Sequence, residues 1–251
     1  MINILMHGCN GKMGQVITHL AAEDDNVTIA AGVDAYDGIA NDYPVFSSLN
    51  DCNIDVDVII DFSNAQAVDG LLDYAVVSKT PVVLCTTGLS EEQLDKVEAA
   101  SKHVAVLRSA NMSIGINVIL KLLKEAVSRF APEGFDVEIV EKHHNQKLDA
   151  PSGTAIALAD AMNEEMNGMY EYVYDRSQVR KKRGKKELGI SAIRGGNIVG
   201  EHDVIFAGTD EVITISHSAH SKAIFAKGAI AAAKYLAGRT PGLYDMSDVM
   251  A

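Results

Sequence analysis

The chain contains no tryptophan, and aromatic residues make up only 6% of its 251 positions. A nucleic-acid stacking platform needs several exposed aromatic faces, so this composition argues against one. Positive charge is also scarce. Twenty-two Lys and Arg against 34 Asp and Glu give a formal net charge of −12, which disfavours non-specific binding to nucleic acid or to an anionic membrane. An anionic small molecule stays open as a ligand, because helix N-termini and a few local cations can hold one inside an acidic protein. The three cysteines, Cys9, Cys52 and Cys85, are odd in number and widely spaced. That is neither a disulfide framework nor a zinc pattern, and it suits a reducing compartment. No uninterrupted apolar run approaches membrane-spanning length. The apolar start, MINILMHG, lacks a basic leader and runs straight into a glycine-rich turn, so it reads as a first strand and not as a signal peptide. The cytoplasm is the expected location. What remains, 47% hydrophobic and 22% charged residues, is an ordinary soluble composition with room for one large or two modest domains.

The first 110 residues alternate between strand-like and helix-like segments. Apolar runs at 2–6, 27–33, 56–60, 81–85 and 104–107 predict strands, and the intervening patterns at 15–22, 65–78 and 90–102 predict helices. Ser90 and Gln93 have capping-box spacing at the start of the last of these. Continuous apolar strands alternating with helices indicate a parallel sheet covered on both faces. After Asn111 the pattern changes. A long helix is predicted over 114–130 from Ile116, Ile119, Leu120, Leu123 and Val127 at helical spacing. A strand over 135–140 follows, then a helix over 151–166 with Pro151 at a tolerated first-turn position. Strands at 190–193, 198–206 and 212–216 have no long helices between them, and an Ala-rich helix closes the series at 221–236. The fold class is therefore α/β, with a Rossmann-type parallel-sheet domain over 1–112 and 222–251. A second, α+β domain with an open mixed sheet covers 113–221. The segment 180–186 has six basic residues in seven. It is either a solvated mobile loop or a means of attracting an anionic substrate.

Gly8, Gly11 and Gly14 are spaced G-x-x-G-x-x-G between a predicted strand and a predicted helix. Glycines there permit a tight turn and close backbone approach to a pyrophosphate, with the free N–H groups of the helix start facing the phosphates. A glycine-rich turn that binds nothing has the same spacing. Asp34 strengthens the dinucleotide reading, because it closes the second strand twenty residues after Gly14. A carboxylate there accepts hydrogen bonds from ribose hydroxyls, as expected for NAD. The next residue is Ala35, where an NADP enzyme would more naturally have an arginine, and Lys12 is the one nearby cation. NADH is expected as the preferred cofactor, or NADH and NADPH in dual use. The competing reading of Asp34 is a plain surface carboxylate.

In EKHHNQKLDAPSGT, residues 141–154, His143, His144 and Lys147 follow a predicted strand, and Ser152-Gly153-Thr154 opens a predicted helix. Two imidazoles and an amine beside a helix N-terminus suit a small dicarboxylate undergoing proton transfer. Packed or surface histidines are the alternative. No metal site is expected, because adjacent histidines on a strand face opposite ways, no H-E-x-x-H occurs and no cysteine is near.

The same stretch closely resembles the signature E-x-H-H-x-x-K-x-D-A-P-S-G-T-A of the 4-hydroxy-tetrahydrodipicolinate reductase family, also called dihydrodipicolinate reductases, of lysine and diaminopimelate synthesis. GCNGKMG, CTTG, SANMSIGIN, IRGGNIVGEHDVIF and GLYDMSDVM are similar to further family segments, so the resemblance spans the whole chain. It implies that His143 is the catalytic acid/base and Lys147 a second proton donor, with His144, Gly153 and Thr154 on the substrate carboxylates. It also implies cofactor contacts from Gly8, Cys9, Asn10, Gly11, Lys12, Met13, Asp34, Cys85, Thr86, Thr87, Ser109, Ala110, Asn111 and Met112, with Lys222 and Phe225 near the nicotinamide. The activity implied is NAD(P)H-dependent reduction of a hydroxylated cyclic imine dicarboxylate. The assembly implied is a homotetramer built on the open sheet of the second domain, with neither nucleic acid nor membrane as a partner. Closure of the two domains, with hinges near 111–113 and 218–222, is expected to exclude water. Three departures from the family pattern stand out: Ala35 in place of an arginine, Cys85 in place of a glycine, and Lys222 in place of an arginine, which loses the bidentate fork. The other readings left open are a Rossmann reductase of a different small dicarboxylate and a non-catalytic NADH sensor.

Overall fold

Residues 1–109 and 111–250 are described by the structure, a computed structural model. The chain divides into two compact units, Met1–Ile114 with Ala223–Ala251, and Gly115–Lys222. In the first unit the elements are β1 (Ile2–His7), α1 (Lys12–Ala22), β2 (Val27–Val33), β3 (Val45–Phe46), β4 (Val58–Asp61), α2 (Ala65–Ser78), β5 (Val82–Leu84), α3 (Glu91–Ser101) and β6 (Ala105–Arg108). The long α4 (Ile114–Phe130) leads into the second unit. That unit contains β7 (Asp136–His143), α5 (Gly153–Glu165), β8 (Glu171–Val173), β9 (Glu187–Arg194), β10 (Gly200–Ala207) and β11 (Val212–Ala219). The chain then returns to the first unit with α6 (Ala223–Leu236), β12 (Gly242–Tyr244) and α7 (Met246–Val249).

The first sheet is seven-stranded and parallel, in the order β12-β6-β5-β4-β1-β2-β3. Its central strands are apolar on both faces because helices cover both. Ile4, Met6, Val58 and Ile60 pack into one core with α1 and α6, while Leu5, Ile59, Val82 and Leu84 pack into a second with α2 and α3. The order reverses between β1 and β4. In open α/β sheets the crevice outside the carboxyl ends at such a reversal is where a dinucleotide lies. The capping box at the start of α3 is present, with Gln93 N–H donating to Ser90 Oγ and Ser90 N–H donating to Gln93 Oε1.

The second sheet is five-stranded and mixed, in the order β11-β10-β7-β9-β8. The pairs β10–β11 and β10–β7 are antiparallel, and β7–β9 and β8–β9 are parallel. Along β7, residues 137, 139, 141 and 143 are buried and alternate with more exposed ones. Val137 and Ile139 join Val204, Phe206, Leu188 and residues of α4 and α5 in a third core. Among the described residues of this unit, the helices α4 and α5 pack on that face, and no helix of the unit joins the opposite one. No helix among the described residues is long and apolar enough to cross a membrane.

Two expectations need correction. The strand expected over 135–140 runs on to His143, so His143 closes the strand and does not follow it. Pro151 does not open a helix. It follows Ala150 through a cis bond, and α5 begins at Gly153 with Ser152 as its N-cap. The hydroxyl of Ser152 accepts the Ala155 N–H, so capping starts the helix here and proline does not.

Candidate active site

In the parallel sheet every strand of the first unit delivers its following loop to the same edge. The loop after β1 carries Gly8–Gly11, with Lys12 and Met13 opening α1, and those after β2, β5 and β6 carry Asp34, Cys85–Thr87, and Ser109, Asn111 and Met112. Gly8 has φ +82°, and a Cβ there would come within 2.7 Å of the Phe62 carbonyl oxygen, in the loop after β4. A side chain at Gly14 would lie 2.3 Å from the Gly8 carbonyl oxygen, so α1 packs directly onto the turn. Gly11 is the N-cap of α1 and supplies no side-chain cap, which leaves the first helical N–H groups facing outward from a bare backbone. In a parallel sheet of this type, a glycine turn at a bare helix start is where a pyrophosphate binds.

Asp34 is joined to that turn. Its Oδ2 accepts the Asn10 N–H at 2.9 Å and its Oδ1 accepts the Tyr36 N–H at 3.0 Å. Asn10 donates its amide to the Tyr36 carbonyl, and Asn41 donates to Asn10 Oδ1 at 2.8 Å, so the two loops brace each other. Lys12 is exposed, and Met13 packs against the first core. Cys9 is fully buried, which together with the charge of Asp34 pushes its thiol up to about 11. Cys85 is held well above its ordinary value by burial first and Asp61 second, and its Sγ faces the Val83 carbonyl. Thr86 is buried and its hydroxyl has no partner among the described residues, whereas Thr87 is exposed. Ser109 donates to the Asn111 carbonyl, the Asn111 side chain accepts the Ser113 N–H, and Met112 is buried in the first core. Ala110 lies outside the described residues. Lys222 is exposed, and Phe225 is half-buried against the first core.

In the second unit, the ends of β7 and β9 and the start of α5 converge on one carboxylate. Glu141 is fully buried. Its Oε2 lies 2.6 Å from His143 Nδ1 and accepts Arg194 Nη1 at 2.8 Å; its Oε1 accepts Arg194 Nη2 at 2.7 Å and the Ser152 N–H at 2.9 Å. Burial alone would push this carboxyl up, but the hydrogen bonds from Arg194, His143 and Ser152 outweigh it and hold it below the ordinary carboxylate range. His143 is buried, while His144 is half-buried just beyond the strand. Lys147 follows on the loop and pairs with Asp149 at 2.8 Å, which lowers the Asp149 carboxyl. Gly153 and Thr154 form the first turn of α5.

Four residues here escaped the sequence reading. Glu141 had a readable signal, since it stands two before His143 and therefore on the same strand face. Arg194, His202 and His217 had none. Sheet register brings Arg194 opposite His143, and places His202 opposite both Glu141 and His217. The His202 ring meets His143 edge-on at 5.2 Å, and its Nε2 lies 3.1 Å from Ser152 Oγ. Burial, followed by His143, pushes His202 down to about 4, so it is uncharged at neutral pH. In the first unit, the pair His7 Nδ1 and Asp61 Oδ1, 2.8 Å apart at the ends of β1 and β4, was also not anticipated. Among the described residues no group of three His, Cys, Asp or Glu is placed to hold a metal.

A family model described as dihydrodipicolinate reductase, N-terminus, matches residues 2–112, and one described as dihydrodipicolinate reductase, C-terminus, matches residues 115–250. The chain belongs to the dihydrodipicolinate reductase family. A 4-hydroxy-tetrahydrodipicolinate reductase of Caldanaerobacter subterraneus subsp. tengcongensis is 54% identical over 250 residues, covering 100% of this chain and 98% of the relative. One of Clostridium tetani is 48% identical over 246 residues, covering 98% and 96%. A solved dihydrodipicolinate reductase of Paenisporosarcina sp. TG-14, with dipicolinate bound, superposes with a TM-score of 0.82 at 24% identity over 98% of this chain and 97% of that one, a likeness of fold. The Rossmann-type sheet and the mixed second sheet expected from the sequence are both part of this family architecture.

Proposed function

We propose that the chain reduces 4-hydroxy-2,3,4,5-tetrahydrodipicolinate to 2,3,4,5-tetrahydrodipicolinate in lysine and diaminopimelate synthesis. Substrate, NAD(P)H and a proton give product, NAD(P)⁺ and water. The observation that carries the reading is that His143 and the start of α5 meet at buried Glu141, with the Lys147–Asp149 pair tied to it through Arg194, in a chain of this family. A small dicarboxylate needs N–H donors for its carboxylates and a proton source for its ring, and this corner of the fold offers both.

The residues of the first unit fit a nicotinamide dinucleotide, because glycines at 8 and 14 let the turn close tightly against backbone and leave the start of α1 bare, and the buried Thr86 hydroxyl has no partner among the described residues. When bound, the reduced nicotinamide supplies a hydride. The pyrophosphate is assigned to Gly8, Cys9, Asn10, Gly11, Lys12 and Met13. The ribose hydroxyls are assigned to Asp34, whose oxygens each retain a lone pair beyond the bonds from Asn10 and Tyr36. Cys85, Thr86 and Thr87 and the 109–112 segment, Ser109, Ala110, Asn111 and Met112, line the remainder. NADH is the preferred cofactor, or both are used: Asp34 would repel a 2′-phosphate, and Ala35 supplies no cation against it.

His143 and Lys147 supply protons to the ring as it is reduced and as water leaves. His144, the N–H groups of Gly153 and Thr154, and the Thr154 hydroxyl hold the carboxylates. The second unit assembles four copies through the uncovered face of its sheet. The chain works in the cytoplasm. The test is to supply freshly made product of the preceding synthase and follow oxidation of NADH and of NADPH separately. Turnover with kcat/KM for NADH at least equal to that for NADPH is expected. A large NADPH advantage would overturn the cofactor assignment, and oxidation of neither would overturn the activity.

A further inference from the structure

We propose that Glu141, clamped by Arg194, is a positioning residue that dictates which nitrogen of His143 carries the proton. The proposal rests on the reading of His143 as the acid/base. A carboxylate has acceptors only, so the hydrogen in the 2.6 Å contact belongs to His143 Nδ1. The nitrogen left to exchange a proton with a substrate is then Nε2. That edge of the ring lies against Gly200, where a Cβ would come within 3.0 Å of Nε2, so the missing side chain keeps the exchanging nitrogen clear.

A freely rotating carboxylate could not impose a tautomer. Glu141 is fixed by three further donors: both terminal nitrogens of Arg194 and the Ser152 N–H. Arg194 is itself fixed by the carbonyls of Ile193 and Asp149, each at 2.7 Å. The second bond reaches the loop that carries the Lys147–Asp149 pair. One buried carboxylate therefore ties the acid/base to the loop of the second proton donor and to the helix start that meets a carboxylate. An ion pair whose carboxylate is fully buried is a weak stabilising device, since well-packed apolar residues serve as well. Its presence against His143 calls for a chemical reason, and tautomer control supplies one. The other titratable neighbour, His202, is uncharged and bonded to Ser152, so it does not compete for Glu141.

The decisive measurement is the nitrogen spectrum of the His143 imidazole in the full-length, ¹⁵N-labelled protein, taken where the ring is neutral. The Nδ1–H form is expected. In Glu141→Gln the amide oxygen stays on the Ser152 N–H and its NH₂ faces His143, so the ring should invert to the Nε2–H form. The same variant should lose kcat by about 100-fold with the substrate KM unchanged. Glu141→Asp keeps the charge opposite Arg194 and shortens the reach to His143, and it serves if the glutamine variant does not fold. It should show both tautomers and an intermediate kcat. A wild-type Nε2–H ring, or folded variants with tautomer and kcat unchanged, would overturn the proposal. A wild type with no reductase turnover would instead sink the reading of the reaction, while the spectra still decide the part played by Glu141.

Discussion

Ser152 shows how much a single position carries in the second unit. Its hydroxyl caps α5, its N–H holds Glu141 and its Oγ contacts His202, so the start of α5 and the Glu141–His143 pair share one fixed frame. His143 and Lys147 reach that frame from different places, one at the end of a strand and one on the loop beyond it, and their roles should be separable. His143→Ala and Lys147→Ala should each lower kcat by about 10²–10⁴-fold. Fluorescence titration should show cofactor affinity unchanged, because both residues belong to the second unit and the glycine turn belongs to the first. Wild-type turnover in either variant would remove that residue from the proton chemistry. His202 makes a different prediction. Its folded-state value of about 4 lies below the ordinary 6.5, so between those values only the unfolded chain binds the proton. Its contribution is full above pH 6.5 and is lost as the pH falls toward 4, by about 3 kcal/mol in all. Comparing urea unfolding of wild type and His202→Gln at pH 7 and pH 4.5 isolates this from the other acid-sensitive groups. The stability gap between the two proteins should move in favour of the variant by ~2 kcal/mol at the lower pH. A gap independent of pH would mean that His202 is not buried as a neutral ring.

Among the elements, α6 is held to the first unit by backbone contact as well as by side chains. A Cβ at Gly228 would lie 1.6 Å from the Met112 carbonyl oxygen, so the helix can approach this closely only with glycine there. Gly228→Ala should cost about 1–3 kcal/mol, read as a lower urea midpoint, despite the better helix propensity of alanine. An unchanged or raised midpoint would show that α6 can shift without loss. The Ala-rich pattern announced this helix but not the contact. The same contrast runs through the fold. Continuous apolar runs made β1, β2, β4, β5 and β6 legible, because strands buried on both faces leave no other composition. The two- and three-residue edge strands β3, β8 and β12 were invisible, since they are too short for any periodicity and exist only through partners distant in the chain, such as Gly242 opposite Ala105. The end of β7 was misread for a related reason. Its last inward positions are Glu141 and His143, polar residues buried by pairing with each other and with Arg194, and a hydrophobic pattern cannot register a buried charge cluster.

For the whole molecule, an acidic chain must meet an acidic substrate, and the placement of its few cations matters. Two of the six basic residues in the 180–186 segment are already engaged within the unit. Arg183 folds back onto β7, donating to Glu138 at 2.7 Å, to Asp136 at 2.8 Å and to the Val137 carbonyl, and Lys181 lies 4.0 Å from Glu187. These bonds position the segment along the uncovered face of the second sheet. That face is neither a plain apolar surface nor a solvated one. Val140 and Ile205 sit half-buried beside Lys142, which pairs with Glu201 at 2.9 Å and Asp203 at 3.2 Å, while Val212 and Ile193 are exposed at 63% and 47%. A five-stranded sheet that leaves such a face to water invites association, and exposed β-branched residues around an already satisfied ionic centre suit a permanent contact between copies. Sedimentation should therefore find a species of about four times the monomer mass at micromolar concentration, the homotetramer proposed above, in which a two-fold contact through this face is repeated by a second one. Val140→Asp puts an unpaired charge at the centre of the face without touching the core on the other side. It should shift the population to smaller species while leaving the circular dichroism of the monomer intact. A wild-type monomer, or a Val140→Asp variant that stays tetrameric, would mean that this face is not where the copies meet.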